Sequence, residues 1–162
     1  MIYIIGFDRV STNICMLENI KFMEKKKQIQ KYDWKEEYSV GIESIDEQHK
    51  KFVEIMNLLI DVINGGECHE RIADVFFSLA YYAEHYFINE EIMFKDYMYP
   101  NLSQHQDLHN EFILRIIQFQ KEFENDKDDV CKELFIYLEK WFKDHILDYD
   151  IKASDFLKQH GV

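Results

Sequence analysis

NLSQHQDLHNEFILRIIQFQKEF, residues 101–123, decides the fold. Within it His105, His109, Phe112, Ile116, Phe119 and Phe123 recur at intervals of three and four, the period of a helix that hides one face. Asn101 is a helix-opening residue type, and the stripe decays into the polar segment Asn125-Asp126-Lys127-Asp128. Three similar stripes surround it. One runs from Ser44 to a Gly65-Gly66 stop, with Ser44 and Glu47 spaced as a capping box and Ile45, His49, Phe52, Met56, Leu59 and Ile63 on its seam. Another runs from about Glu70 to Tyr97 and is closed by Pro100; its seam reads Ile72, Phe76, Leu79, Ala83, Tyr86, Glu90, Met93 and Tyr97. The last carries Leu134, Leu138, Trp141 and His145. Short connections between long helices favour antiparallel neighbours, so the pattern predicts an all-α, up-down-up-down antiparallel four-helix bundle.

The composition agrees. The 162 residues include 19 Lys+Arg against 31 Asp+Glu, a net charge of −12, which excludes a duplex nucleic-acid binder driven by phosphate neutralisation. Hydrophobic residues make up 47% and aromatics 15%, enough apolar surface for one core. With 5 Gly and 1 Pro, the chain lacks the turn residues of a many-stranded sandwich or barrel. Residues 1–33 read as an N-terminal extension to a domain spanning 34–162. Their opening MIYIIGF is too short to cross a bilayer and has neither a preceding basic residue nor a small-residue cleavage site, so no signal peptide or membrane anchor is expected. The charged run Glu24-Lys25-Lys26-Lys27 follows, and Met23 is an alternative translation start. Cys15, Cys68 and Cys131 are odd in number, widely spaced and form no C-x-x-C pair. Neither a disulfide framework nor a zinc site is therefore expected, and a reducing cytoplasm fits.

Five polar residues interrupt the apolar seams: His49, Glu90, His105, His109 and His145. A buried ionisable group is costly unless it is paired or binds a metal. A single core histidine is commonly satisfied by a carbonyl, but here all four helices contribute, and His105 and His109 share one helical face. Histidine plus carboxylate without thiolate suits iron, manganese or zinc, and bridging carboxylates from two helices suggest a pair of metals. His69, beside the glycine turn, and His160, in the tail, read as solvated, and the acidic run from Glu122 to Asp129 reads as surface.

The segments WKEEYSVGIESIDEQHKKF (34–52), FINEEIM (87–93), YPNLSQHQDLH (99–109) and WFKDHILDYD (141–150) together resemble the hemerythrin family, in its bacterial single-domain branch, over about residues 34–158. In this order and spacing they are far more specific than one H-x-x-x-H. The resemblance implies two iron ions with a bridging oxo or hydroxo group. His105, His109 and His145 would hold one iron, His49 would belong to the second, and Glu90 and Asp150 would bridge both. It further implies dioxygen bound at an open position of the second iron, inside an apolar pocket with fixed ligands.

One position departs from the family pattern, which has histidine four residues before the bridging glutamate. Here that position is Tyr86, and the histidine is displaced to His85. On a regular helix Tyr86 lies about 40° from Glu90 around the axis and His85 about 140°. Three outcomes stand open at this stage. Tyr86 ligates the second iron as a phenolate; a π-bulge swings His85 inward; or the ligand is absent and Tyr86 is an ordinary core tyrosine. Asp150 raises a similar question, because its five-residue spacing from His145 does not share a regular helix face whereas Asp148 would. The family's five-residue spacing at a local irregularity favours Asp150. A family methionine near the pocket falls at Phe94, with Met93 beside it.

The functional expectation is a cytoplasmic, non-haem di-iron protein that binds dioxygen for carriage, storage or delivery to an oxidase. Two alternatives come from other classes: a redox enzyme acting on peroxide or nitrogen oxides with Tyr86 on the metal, or an oxygen- or iron-sensing module working through residues 1–33. No nucleic-acid or membrane partner is expected.

Overall fold

The computed structural model describes residues 28–162, and among them it contains four long helices and no strand. We label them α1 (Glu43–Gly65), α2 (68–96), α3 (Leu102–Glu124) and α4 (130–159). Two of the four are not uniform. In α2 a π-helical turn, Ala83–Phe87, joins the α-helical pieces Cys68–Tyr82 and Ile88–Asp96. In α4 a π-helical stretch, Phe142–Asp150, joins Val130–Trp141 and Ile151–Gln159. The helices pack α1 on α2, α2 on α3, α3 on α4 and α4 back on α1, the antiparallel square expected.

Helix boundaries follow local chemistry. Gly66, with φ +71°, ends α1 in the left-handed conformation that costs glycine least. The capping box expected at Ser44 does not form: α1 begins at Glu43 behind Ile42, without a side-chain cap. Asp46 instead reaches back across the entry, accepting from the Ser39 hydroxyl at 2.6 Å and the Val40 amide at 2.7 Å. Likewise Asn101 precedes α3 without a side-chain cap.

Two apolar clusters fill the bundle. The larger contains Phe52, Tyr82, Phe87, Phe112, Trp141 and Phe142; the smaller contains Ile45, Phe94, Ala153 and Leu157. Each of these belongs to a helix that also carries a buried His, Glu or Asp, one or two turns away, so the polar residues form a layer sealed above and below.

An arm precedes the bundle. The side-chain amides of Asn57 and Asn64, two turns apart on α1, each exchange a pair of hydrogen bonds with the backbone of Tyr32 and Ile29 respectively, at 2.8–2.9 Å. Tyr32 then donates its hydroxyl to Glu139 of α4 at 2.7 Å. The extension's residues 28–33 thus lie against the domain. The rest of it, with the MIYIIGF opening, the charged run at 24–27 and the alternative start at Met23, lies outside the described residues, as does Cys15.

The expectation of unpaired cysteines is overturned. Cys68 and Cys131 form a disulfide, with Cα atoms 6.1 Å apart and a sequence separation of 63. The bundle brings the first turn of α2 beside the first turn of α4, a proximity that spacing along the chain does not reveal. No helix among the described residues is long and apolar enough to cross a membrane.

Candidate metal centre

His49 on α1, Glu90 on α2, His105 and His109 on α3, and His145 and Asp150 on α4 are each no more than 3% exposed. Their polar atoms form two overlapping groups, Glu90 with His105, His109 and His145, and His49 with Glu90 and Asp150; within each, the potential ligand atoms lie within 4.8 Å of one another. Glu90 Oε2 is 3.1 Å from His105 Nε2 and 3.3 Å from His109 Nε2. Asp150 straddles the groups: Oδ2 is 3.1 Å from His49 Nε2, while Oδ1 is 3.3 Å from the Nε2 atoms of both His105 and His145. Asp150 reaches this position through the π-helical stretch of α4, whose wider turn carries it round to the face of His145. Asp148 stays exposed and pairs with Lys152 at 2.7 Å.

The residues fit a cation. His109 and His145 face each other Nε2 to Nε2 at 3.1 Å, a contact in which at most one useful hydrogen can be placed if both rings are neutral. Asp150 Oδ1 has no hydrogen-bond partner despite full burial, at a cost that a metal bond would remove. Donor atoms about 3 Å apart are what metal–ligand bonds of roughly 2.0–2.2 Å produce.

Electrostatics couple the groups. Burial acts to raise the Glu90 carboxyl, but hydrogen bonds from His105 and His109 outweigh it and hold the group well below the usual carboxylate range. Burial together with the neighbouring Glu90 charge raises Asp150. Burial works against protonation of His49 and His105, yet the partners Asp150 and Glu90 raise both. His145, deeply buried and facing the positive charge of His105 and His109, is pushed well down. A region this rich in opposed perturbations is a functional-site signature.

Residues that sequence periodicity did not single out hold the rings in place. Glu91 accepts from His109 Nδ1 at 2.7 Å and is itself held by Gln106 at 2.9 Å. Such an outer partner fixes the tautomer that leaves Nε2 free for a metal. Phe87 stacks on His109 with centroids 3.8 Å apart, Trp141 stacks on His145 at 4.0 Å, and Phe94 meets His105 edge-on at 4.9 Å. Phe94, at the family's methionine position, is therefore a wall of the site. Buried Tyr82 adjoins it too, its phenol raised well above the ordinary range by burial and then by the charges of Glu90 and Asp150. Trp141, four residues before His145, was the one legible from spacing.

Tyr86 and His85 are not brought into the cluster. The π-turn does form between them, but its extra residue carries Phe87 to the core, not His85. His85 is exposed, donating Nδ1–H to the Tyr81 carbonyl at 3.0 Å and stacking on the Tyr81 ring at 3.9 Å. Tyr86 is half-buried, its ring 5.1 Å from that of Tyr82, and it lines an open groove with Lys51, Glu54, Ile55 and Phe77 that none of the six cluster residues borders. His69 and His160 also lie outside the cluster.

Comparison with known proteins places the cluster within a known domain. Residues 40–150 match the hemerythrin HHE cation binding domain. The chain is 32% identical over 126 residues to bacteriohemerythrin of Clostridium acetobutylicum, covering 75% of this chain and 98% of that protein. It is 36% identical over 125 residues to bacteriohemerythrin of Pseudomonas paraeruginosa, covering 77% and 80%. Myohemerythrin of Theromyzon tessulatum shares 26% identity over 121 residues, covering 75% and 89%. With one buried layer of histidines and carboxylates inside the matched region, the chain belongs to the hemerythrin family, whose domain binds a di-iron centre.

Proposed function

We propose that the chain carries dioxygen, storing it or delivering it to an oxidase, with His105, His109 and His145 on one iron, His49 on the other, and Glu90 and Asp150 between them. The observation that carries this reading is the Asp150 carboxylate, whose two oxygens address different histidines, His49 on one side and His105 with His145 on the other. When bound, the di-iron pair supplies two electrons to dioxygen. The remaining contribution belongs to the protein. Phe87, Trp141 and Phe94 cover the imidazole faces and keep water out, which suits an apolar ligand such as dioxygen and slows loss of oxidised product. Glu91 holds His109 in one tautomer, so the ring does not reorient as the ligand comes and goes.

The reading as a redox enzyme acting on peroxide or nitrogen oxides calls for a phenolate from position 86 on the metal. Tyr86 lining a groove beside Lys51 favours carriage over it. Residues 34–162 are the functional unit in this reading, and 1–33 are an appendage. A cytoplasmic site of action remains part of the proposal, although the cysteines no longer favour it, because disulfides persist best in oxidising compartments.

The test is to reconstitute the protein with iron and cycle it between air and argon while recording the visible spectrum. Carriage gives an absorbance change that reverses over repeated cycles. Irreversible oxidation on first exposure, together with rapid turnover of added peroxide, would replace carriage by redox catalysis.

A further inference from the structure

Counting donors at each half of the cluster reveals an imbalance. Three imidazole nitrogens, from His105, His109 and His145, converge with Glu90, and Asp150 Oδ1 lies 3.3 Å from two of them. The other half has one imidazole, His49, with the same two carboxylates. The two residues that the sequence offered as a further donor there lie elsewhere: His85 is exposed against Tyr81, and Tyr86 lines the groove beside Lys51.

We infer that the two metal positions load unequally. The nitrogen-rich position binds a divalent first-row cation first and tightly, whereas the His49 position fills last and exchanges its ion readily. This rests on the di-metal reading above and adds to it an order of filling. Affinity for such ions rises with the number and nitrogen character of the ligands. Sharing Glu90 and Asp150 deepens the difference: once the first ion has drawn on both carboxylates, the second meets a partly neutralised site and a like charge close by.

The experiment uses the full-length protein freed of metal and titrated anaerobically with ferrous iron, the bound ions per chain being counted by native mass spectrometry. At one equivalent, the expected spectrum is dominated by chains carrying a single ion, with the second binding step at least tenfold weaker. His49→Ala is expected to keep the first step and lose the second, and His109→Ala to lose the tight step. A mixture of empty and doubly loaded chains at one equivalent, or two steps of equal affinity, would overturn unequal loading while leaving the di-metal reading intact. Wild-type protein that retains no iron would overturn both. The wild-type titration decides the question even if a variant fails to fold.

Discussion

At the scale of single residues, Asp148 and Asp150 set the sharpest contrast. On a regular helix a five-residue step from His145 turns about 140° and a three-residue step about 60°, which would favour Asp148. The structure reverses that order, burying Asp150 among three histidines and a glutamate and leaving Asp148 on the surface with Lys152. Asp150→Asn is therefore expected to lose most of the bound metal, and Asp148→Asn to keep it. Because Asp150 is held against ionisation by burial and by Glu90, the metal-free Asp150→Asn protein should melt close to metal-free wild type. The difference appears on adding metal, where a ligand at a hundredfold its dissociation constant stabilises wild type by about 2.7 kcal/mol. Melting curves with and without metal check this; an equal metal-induced gain in wild type and Asp150→Asn would remove Asp150 from the ligand set.

At the scale of elements, the π-helical segments explain both what was legible in the sequence and what was not. Apolar spacing marked all four helices, the Gly66 stop and five of the six cluster residues, because over most of each helix the 3.6-residue period holds. Asp150 needed the family resemblance, since its position depends on a π-helical stretch that no composition signal announces. The same kind of turn in α2 shifts the seam by one residue. Tyr86, Met93 and Tyr97 fit the regular period along with Glu90, but it is Phe87 and Phe94 that are buried beside Glu90 after the turn. Ser44 misled for a different reason, since Asp46 competes for the helix entry through Val40 and Ser39. If the turn exists to absorb one surplus residue, deleting Tyr86 should relax it to α-helix while both flanking seams stay in register. His85 would then stand four residues before the glutamate, on the face of the cluster. The deletion variant is expected to bind its second iron at least tenfold more tightly than wild type in the same anaerobic titration. A second step left unchanged, in a variant whose circular dichroism and first step match wild type, would show that the turn is independent of the extra residue.

At the scale of the whole molecule, the disulfide and the metal layer sit apart and secure different regions. α2 and α4 occupy opposite corners of the square, so the Cys68–Cys131 bond ties the bundle along a diagonal that the helix-to-helix faces do not span. From Cys131 to His145 is fourteen residues of helix, about 21 Å at 1.5 Å per residue. Reduction should therefore act on the unfolding equilibrium and leave the donor geometry alone. A cross-link closing a loop of this length stabilises a domain by about 2–4 kcal/mol, chiefly by restricting the unfolded chain. For a chain of this size that corresponds to roughly 5–15 °C in melting temperature. The Cys68→Ser, Cys131→Ser double variant, or wild type kept in reductant, is expected to melt lower by that amount while retaining the same iron per chain at 25 °C. Equal melting of oxidised and reduced protein would show that the bond contributes nothing to stability. Loss of iron on reduction, at a temperature where the fold is intact, would instead show that the diagonal tie reaches the metal layer and that the two ends of the bundle act as one unit.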